Sequence, residues 1–145
     1  MAKVIKIHRT QASDASKVLK FFHKVHGTNF EGMPPIIDRF ALPWISDVVC
    51  RGICFSASME GRLIGTLGLA KDPYLWNKYE FRLRSQWFYV LNDYSKTDVR
   101  DRLIQAAKFT AESMSYPIEI DIPEYLRKDT DVESPSLSSS YLYGA

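Results

Sequence analysis

Glu60-Gly61-Arg62-Leu63-Ile64-Gly65-Thr66-Leu67-Gly68-Leu69 is the stretch from which the rest of the chain can be placed. Glu60-Gly61 reads as a tight turn. The run before it (Ile53–Met59) and the run after it (62–70) then read as the two strands of a hairpin.

Towards the C-terminus, 72–78 reads as a loop carrying Pro73, Tyr74 and Trp76, and 80–83 offers an extension of the sheet. Residues 86–91 (Gln-Trp-Phe-Tyr-Val-Leu) form a strongly apolar run, as a central strand requires. A turn at 92–95 leads to a helix over 97–114, with Val99, Leu103, Ala106, Ala107 and Thr110 on one face. Tyr116-Pro117 ends that helix. Ile118, Ile120 and Ile122 then alternate with Glu119 and Asp121 as a short strand. Strand, helix and strand in succession predict two parallel strands joined by a right-handed crossover.

Towards the N-terminus, Val4-Ile5-Lys6-Ile7-His8-Arg9 alternates as a first strand. Ser13 or Asp14 caps a helix with Val18, Leu19, Phe22 and Val25 inward and a stop at Gly27. After Gly32-Met33-Pro34-Pro35 a second helix places Ile37, Phe40, Ala41, Trp44, Ile45 and Val48 inward, and Pro43 is expected to kink or split it. From Pro123 the composition turns polar and then Ser-rich. The expected division is a folded domain over 1–122 and an extended tail over 123–145.

The 145 residues suit one domain, and 46% apolar content supports one core. A net charge of +2 is too small to argue for nucleic acid. No apolar run approaches the length of about 18 residues that a transmembrane helix needs, and the N-terminus has no signal-peptide stretch, so a cytoplasmic protein is expected. Cys50 and Cys54 are expected to be a reduced, buried pair. His23 and His26 lie three apart on a helix without a third ligand, so surface histidines are expected and no metal. No P-loop, G-x-S-x-G or G-x-G-x-x-G occurs.

The order strand, helix, helix, three strands, helix, strand resembles that of the GNAT N-acetyltransferase superfamily over about residues 4–122. The hairpin quoted above resembles the family's second and third strands, and Trp87 to Leu91 its fourth. The fold implied is α/β (α+β), a mixed sheet flanked by helices and shortened after the fifth strand. The family's signature, Arg or Gln, two residues, Gly, one residue, then Gly or Ala, cradles the acetyl-CoA pyrophosphate on backbone amides at a helix N-terminus. Here Ser95 falls at the Arg position, Asp98 at the first Gly and Arg100 at the second. The signature is therefore degenerate, and no cofactor is expected. If acetyl-CoA does bind, the resemblance implies Val90, Leu91, Lys96 and Arg100 as its contacts.

The resemblance also implies an oxyanion held on a strand-four amide and a general-acid tyrosine, commonly supplied after strand five. Glu80, Tyr94 and Glu119 are the weak catalytic candidates, with Asp121 and Tyr89 beside them. Surface, turn or core roles are the ordinary alternative for each. Without the last two strands, the edge of 118–122 is expected to be open to pairing with another chain. Leu137, Tyr141, Leu142 and Tyr143 are expected to anchor the tail on another protein subunit. Two functions follow. One is a structural or protein-binding module, such as a compact phage-encoded domain docked onto a larger assembly in host cytoplasm or virion. The other is a small acetyl-CoA-dependent N-acetyltransferase.

Overall fold

The computed structural model describes residues 4–29, 34–128 and 136–138. Glu60 and Gly61 both take positive φ, 53° and 77°, the backbone that a two-residue hairpin turn matched to strand twist requires. Around that turn, β2 (Ile53–Met59) and β3 (Arg62–Tyr74) pair antiparallel.

The second hairpin is longer than the sequence implied. β4 spans Asn77–Val90 and pairs with β3 along most of its length. The expected loop 72–78 is instead the ends of two strands around a turn at Leu75 and Trp76. Side chains hold these outer strand ends. The Lys71 ammonium lies 5.0 Å from the Phe81 ring centre, the Arg82 guanidinium 5.3 Å from that of Tyr74, and Arg82 pairs with Asp72 at 3.1 Å.

β1 (Ile5–Arg9) pairs antiparallel with β2, and β5 (Ile118–Asp121) pairs parallel with β4, giving the mixed sheet that the strand–helix–strand order predicts. A short β6 (Ser136–Ser138) pairs antiparallel with β5. The β5 edge is therefore covered and not open, because Leu137 of the presumed free tail sits opposite Ile120. Tyr141, Leu142 and Tyr143 lie outside the described residues.

α1 (Ala15–Asn29) and α2 (Asp38–Arg51) cover one face of the sheet, and α3 (Val99–Ser113) covers the other. Side chains alternate along β4: Trp87 and Tyr89 pack towards α1 and α2, whereas Phe88 and Val90 join the α3 core. Gly68 stands opposite Trp87, and a Cβ there would lie 2.4 Å from the indole ring. The missing side chain lets Trp87 lie flat across β3 and donate to Thr66 Oγ1 at 3.2 Å.

Other local expectations are corrected. α1 follows a 3-10 turn, in which Asp14 accepts from the Gln11 amide, and it runs through Gly27 to Asn29. α2 continues through Pro43 as one helix. Its core stripe is Ile45, Val48 and Val49, while Ile37, Phe40 and Trp44 are exposed. Cys54 is buried but Cys50 is exposed, and both are free thiols. Trp76 and Tyr79 are 80% and 98% exposed at the hairpin tip.

Candidate functional site between the diverging strands

β4 and β5 pair only at Leu83 with Ile118 and at Arg84 with Glu119. At the next step the Asp121 amide bonds the Ser85 hydroxyl instead of a β4 carbonyl, at 2.9 Å. β4 then runs on to Val90 with no neighbour strand on that side among the described residues, so a gap opens at its C-terminal end.

The gap is filled from within. After β5 the chain makes a 3-10 turn, Glu124–Leu126, that carries Tyr125 into it. The Tyr125 hydroxyl accepts from the Val90 amide at 2.9 Å and donates to the Val90 carbonyl at 2.8 Å. Both backbone groups of Val90 point away from β3, so this one phenol satisfies a peptide that would otherwise face the gap unpaired. Burial pushes the Tyr125 pKa up to about 12, against the opposing effect of its bond to Val90, so the phenol stays protonated at neutral pH.

Arg100 fixes the turn from the other side. It is 4% exposed, and its guanidinium donates to the Leu126 carbonyl at 2.9 Å and to Asp101 at 3.0 Å. Leu126 is itself buried in the α3 core. Residues 124–126 thus belong to the folded domain, and the expected boundary at 122 falls too early. The cause is long range: the 3-10 turn is anchored on α3 and β4, which the local polar composition does not show.

The loop before α3 turns its amides inward. Tyr94, Ser95 and Thr97 donate to the carbonyls of Leu91, Asn92 and Tyr94 at 2.8, 3.1 and 3.1 Å. Asp98 is the N-cap of α3 and exposed; Lys96 is also exposed. Leu91 donates its amide to Ile64 at 2.9 Å.

The catalytic candidates do not converge on the gap. Glu80 is exposed near the hairpin tip. Glu119 is paired with Arg82 at 3.5 Å. The Tyr94 hydroxyl points to Met59 Sδ at 3.8 Å, among the α3-side core. Tyr125 was not among the candidates; its one sequence signal is a tyrosine a few residues after the fifth strand.

On the opposite face, Tyr89 forms the floor of a cavity of about 470 Å³ between α1 and α2. His26 Nε2 lies 3.3 Å from the Tyr89 hydroxyl. Burial, helped by the nearby charge of His23, lowers the His26 pKa, and burial raises that of Tyr89. Both are therefore neutral at pH 7. His23 does not join His26 in a metal pair; it bonds Asp38 at 2.6 Å, and no metal-binding cluster occurs among the described residues.

Solved structures of acetyltransferases share this architecture. A predicted acetyltransferase with acetyl-CoA from Clostridium acetobutylicum superposes with a TM-score of 0.72 at 13% identity, covering 90% of each chain. The fold is that of the GNAT acetyltransferases. Ribosomal-protein-alanine N-acetyltransferase from Brucella melitensis biovar Abortus 2308 matches with a TM-score of 0.62 at 17% identity, over 79% of this chain and 76% of its own. A GNAT family acetyltransferase from Staphylococcus aureus gives 0.60 at 15% identity, over 80% and 83%. No protein-family model and no curated protein matches the sequence. Within the GNAT fold, Val90 ends the fourth strand and Tyr125 follows the fifth. No helix among the described residues is long and apolar enough to cross a membrane.

Proposed function

We propose that this chain is a GNAT-fold domain whose cofactor groove is closed by its own C-terminal turn, and that it serves as a protein-binding module. One observation carries the reading: the Tyr125 hydroxyl occupies both backbone groups of Val90. A cofactor entering there has to displace a half-buried phenol and leave its bonds unmade. The inward amides at Tyr94, Ser95 and Thr97, with Arg100 tied to Leu126, leave the signature loop little with which to repay that displacement.

The binding role draws support from the hairpin tip. Leu75, Trp76 and Tyr79 are 89%, 80% and 98% exposed, a cluster of large apolar side chains of the kind found at interfaces. The partner is another protein subunit, in a larger assembly of the cytoplasm or a virion, with Tyr141, Leu142 and Tyr143 as further anchors. Deleting 139–145 is then expected to weaken co-purification with that subunit and leave the melting temperature unchanged.

A second reading is an N-acetyltransferase that uses acetyl-CoA. Tyr125 itself favours it, because a protonated tyrosine after strand five is where the resemblance puts a general acid. The neutral His26 in the cavity beyond Tyr89 adds an apolar acceptor side. Tyr125→Ala separates the two. Under the closed-groove reading the variant binds acetyl-CoA more tightly than the parent, since the groove is opened. Under the enzyme reading the parent acetylates an amine acceptor, and the variant keeps its affinity but loses turnover.

A further inference from the structure

β1 is an outer strand of the sheet, and no further strand lies beyond it among the described residues. The Thr10 amide donates to the Cys54 carbonyl at 2.8 Å, which fixes the phase of the ladder. Antiparallel pairing alternates, so Lys6 and His8 turn their backbone groups to β2, and Ile5, Ile7 and Arg9 turn theirs outward. The register runs unbroken from Ile5 with Met59 to Arg9 with Phe55, without the bulge or proline that commonly blunts an exposed edge. The two faces of the strand differ in chemistry. Ile5 and Ile7 pack, half-buried, against the α3-side core, while Lys6 and His8 are exposed and alternate onto the other face. The charge along the edge is of one sign. The first carboxylate side chain in the sequence is that of Asp14, and Lys3, Lys6 and Arg9 precede it. Asp14 is itself engaged by the Gln11 amide at 3.1 Å and by Lys17 at 4.0 Å, and Glu60 in the neighbouring turn is offset by the exposed Arg62.

We infer that the open edge of β1 is a docking site for an extended acidic segment of a partner protein, which adds to the sheet as an antiparallel strand with acidic and apolar residues alternating. The outward amides and carbonyls of Ile5, Ile7 and Arg9 supply the main-chain ladder. Residues directly opposite each other share a face of the sheet. A guest residue opposite Ile5 or Ile7 is therefore apolar, and it completes the cover of the half-buried isoleucines. A guest residue opposite Lys6 or His8 is acidic, because it lies beside the Lys6 ammonium. The same charges select against a second copy of this chain. Two β1 strands paired about Ile7 would bring Lys6 and Arg9 of both copies onto one seam, and like charges across a strand pair are destabilising. The inference rests on neither the closed groove nor the hairpin tip, since β2 and β3 separate β1 from the strand that carries both.

The test is fluorescence anisotropy of the full chain with a labelled peptide, Glu-Val-Glu-Val-Glu-Val-Glu. This peptide is expected to bind saturably at one site. Its counterpart Lys-Val-Lys-Val-Lys-Val-Lys is expected to bind at least about tenfold more weakly. Lys6→Glu reverses an exposed charge with the fold intact, and it should weaken the acidic peptide by a similar factor. The ladder gives the sharper readout. In the inferred register the valine amides bond β1 and the glutamate amides face away, so N-methylation of the valines should abolish binding, and N-methylation of the glutamates should leave most of it. The inference is overturned by an absence of saturable binding, by equal binding of the two peptides, by indifference to Lys6→Glu, or by equal effects of the two methylations, which would leave only attraction between charges. A chain that sediments as a dimer and takes up no peptide would give the edge to a second copy and overturn it as well.

Discussion

The Tyr125 hydroxyl stands 2.9 Å from the amide nitrogen of Val90 and 2.8 Å from its carbonyl oxygen, so one side chain closes the gap that β4 and β5 leave between them. Tyr125→Phe keeps the ring and removes both bonds. The Val90 peptide then faces a mostly buried space unpaired, which destabilises by about 1–3 kcal/mol. Urea denaturation should show a lower midpoint with an unchanged slope. A midpoint equal to that of the parent would mean that water replaces the phenol without loss.

Gly68 and Trp87 give a second expectation. A methyl group at position 68 would meet the indole at 2.4 Å, so Gly68→Ala has to push Trp87 out of its bond with Thr66 and out of the Phe22 and Trp44 cluster. Overpacking of this kind destabilises by about 1–3 kcal/mol. The companion Gly61→Ala meets no atom but keeps a φ of 77°, so its smaller loss comes from backbone strain alone. Thermal melts of the two variants should rank Gly68→Ala well below Gly61→Ala.

The hairpin and the strand–helix–strand unit were legible because their apolar periods are local. The long outer ends of β3 and β4 were not. Asp72, Pro73 and Lys78 carry turn chemistry, and only pairing across the hairpin, with Arg82 on Tyr74 and Lys71 on Phe81, makes them strand. Arg100 is a contact that the resemblance implies only if acetyl-CoA binds; that its guanidinium also bonds Leu126, 26 residues away, is a long-range feature that no local pattern shows. Tyr125 acts on a peptide 35 residues distant, through a gap that exists only once β4 and β5 diverge. In α2 the helical stripe was read correctly as apolar, but its first half faces a cavity and only its second half the core.

Stability should depend on pH through two groups. The His26 pKa is lowered by burial and by His23, so the unfolded chain binds a proton more readily than the folded one. Its contribution is present above the unfolded value of 6.5 and is lost as pH falls from there towards the folded value. For Asp101, burial raises the pKa, but hydrogen bonds from Lys128 and Arg100 outweigh it and the net shift is down. That contribution is present above the unfolded value of 3.8 and is lost as pH falls through the folded one. Denaturation midpoints should therefore fall in two steps on acidification. His26→Gln should flatten the step just below pH 6.5 and leave the acid one.

The hairpin tip should matter to binding and not to folding. Trp76→Ser with Tyr79→Ser removes two exposed rings, and such surface changes stay within about 0.5 kcal/mol. The double variant should melt with the parent and lose co-purification of the proposed subunit. A drop of several degrees would instead place these rings in the fold.

Calorimetric titration of the unmodified chain with acetyl-CoA bears directly on the closed groove. With Tyr125 on Val90 and Arg100 on Leu126, no binding tighter than about millimolar is expected, a free energy no better than about −4 kcal/mol. A saturable isotherm with a micromolar Kd would contradict it, and would mean that Tyr125 gives way to the cofactor and that the groove is in use.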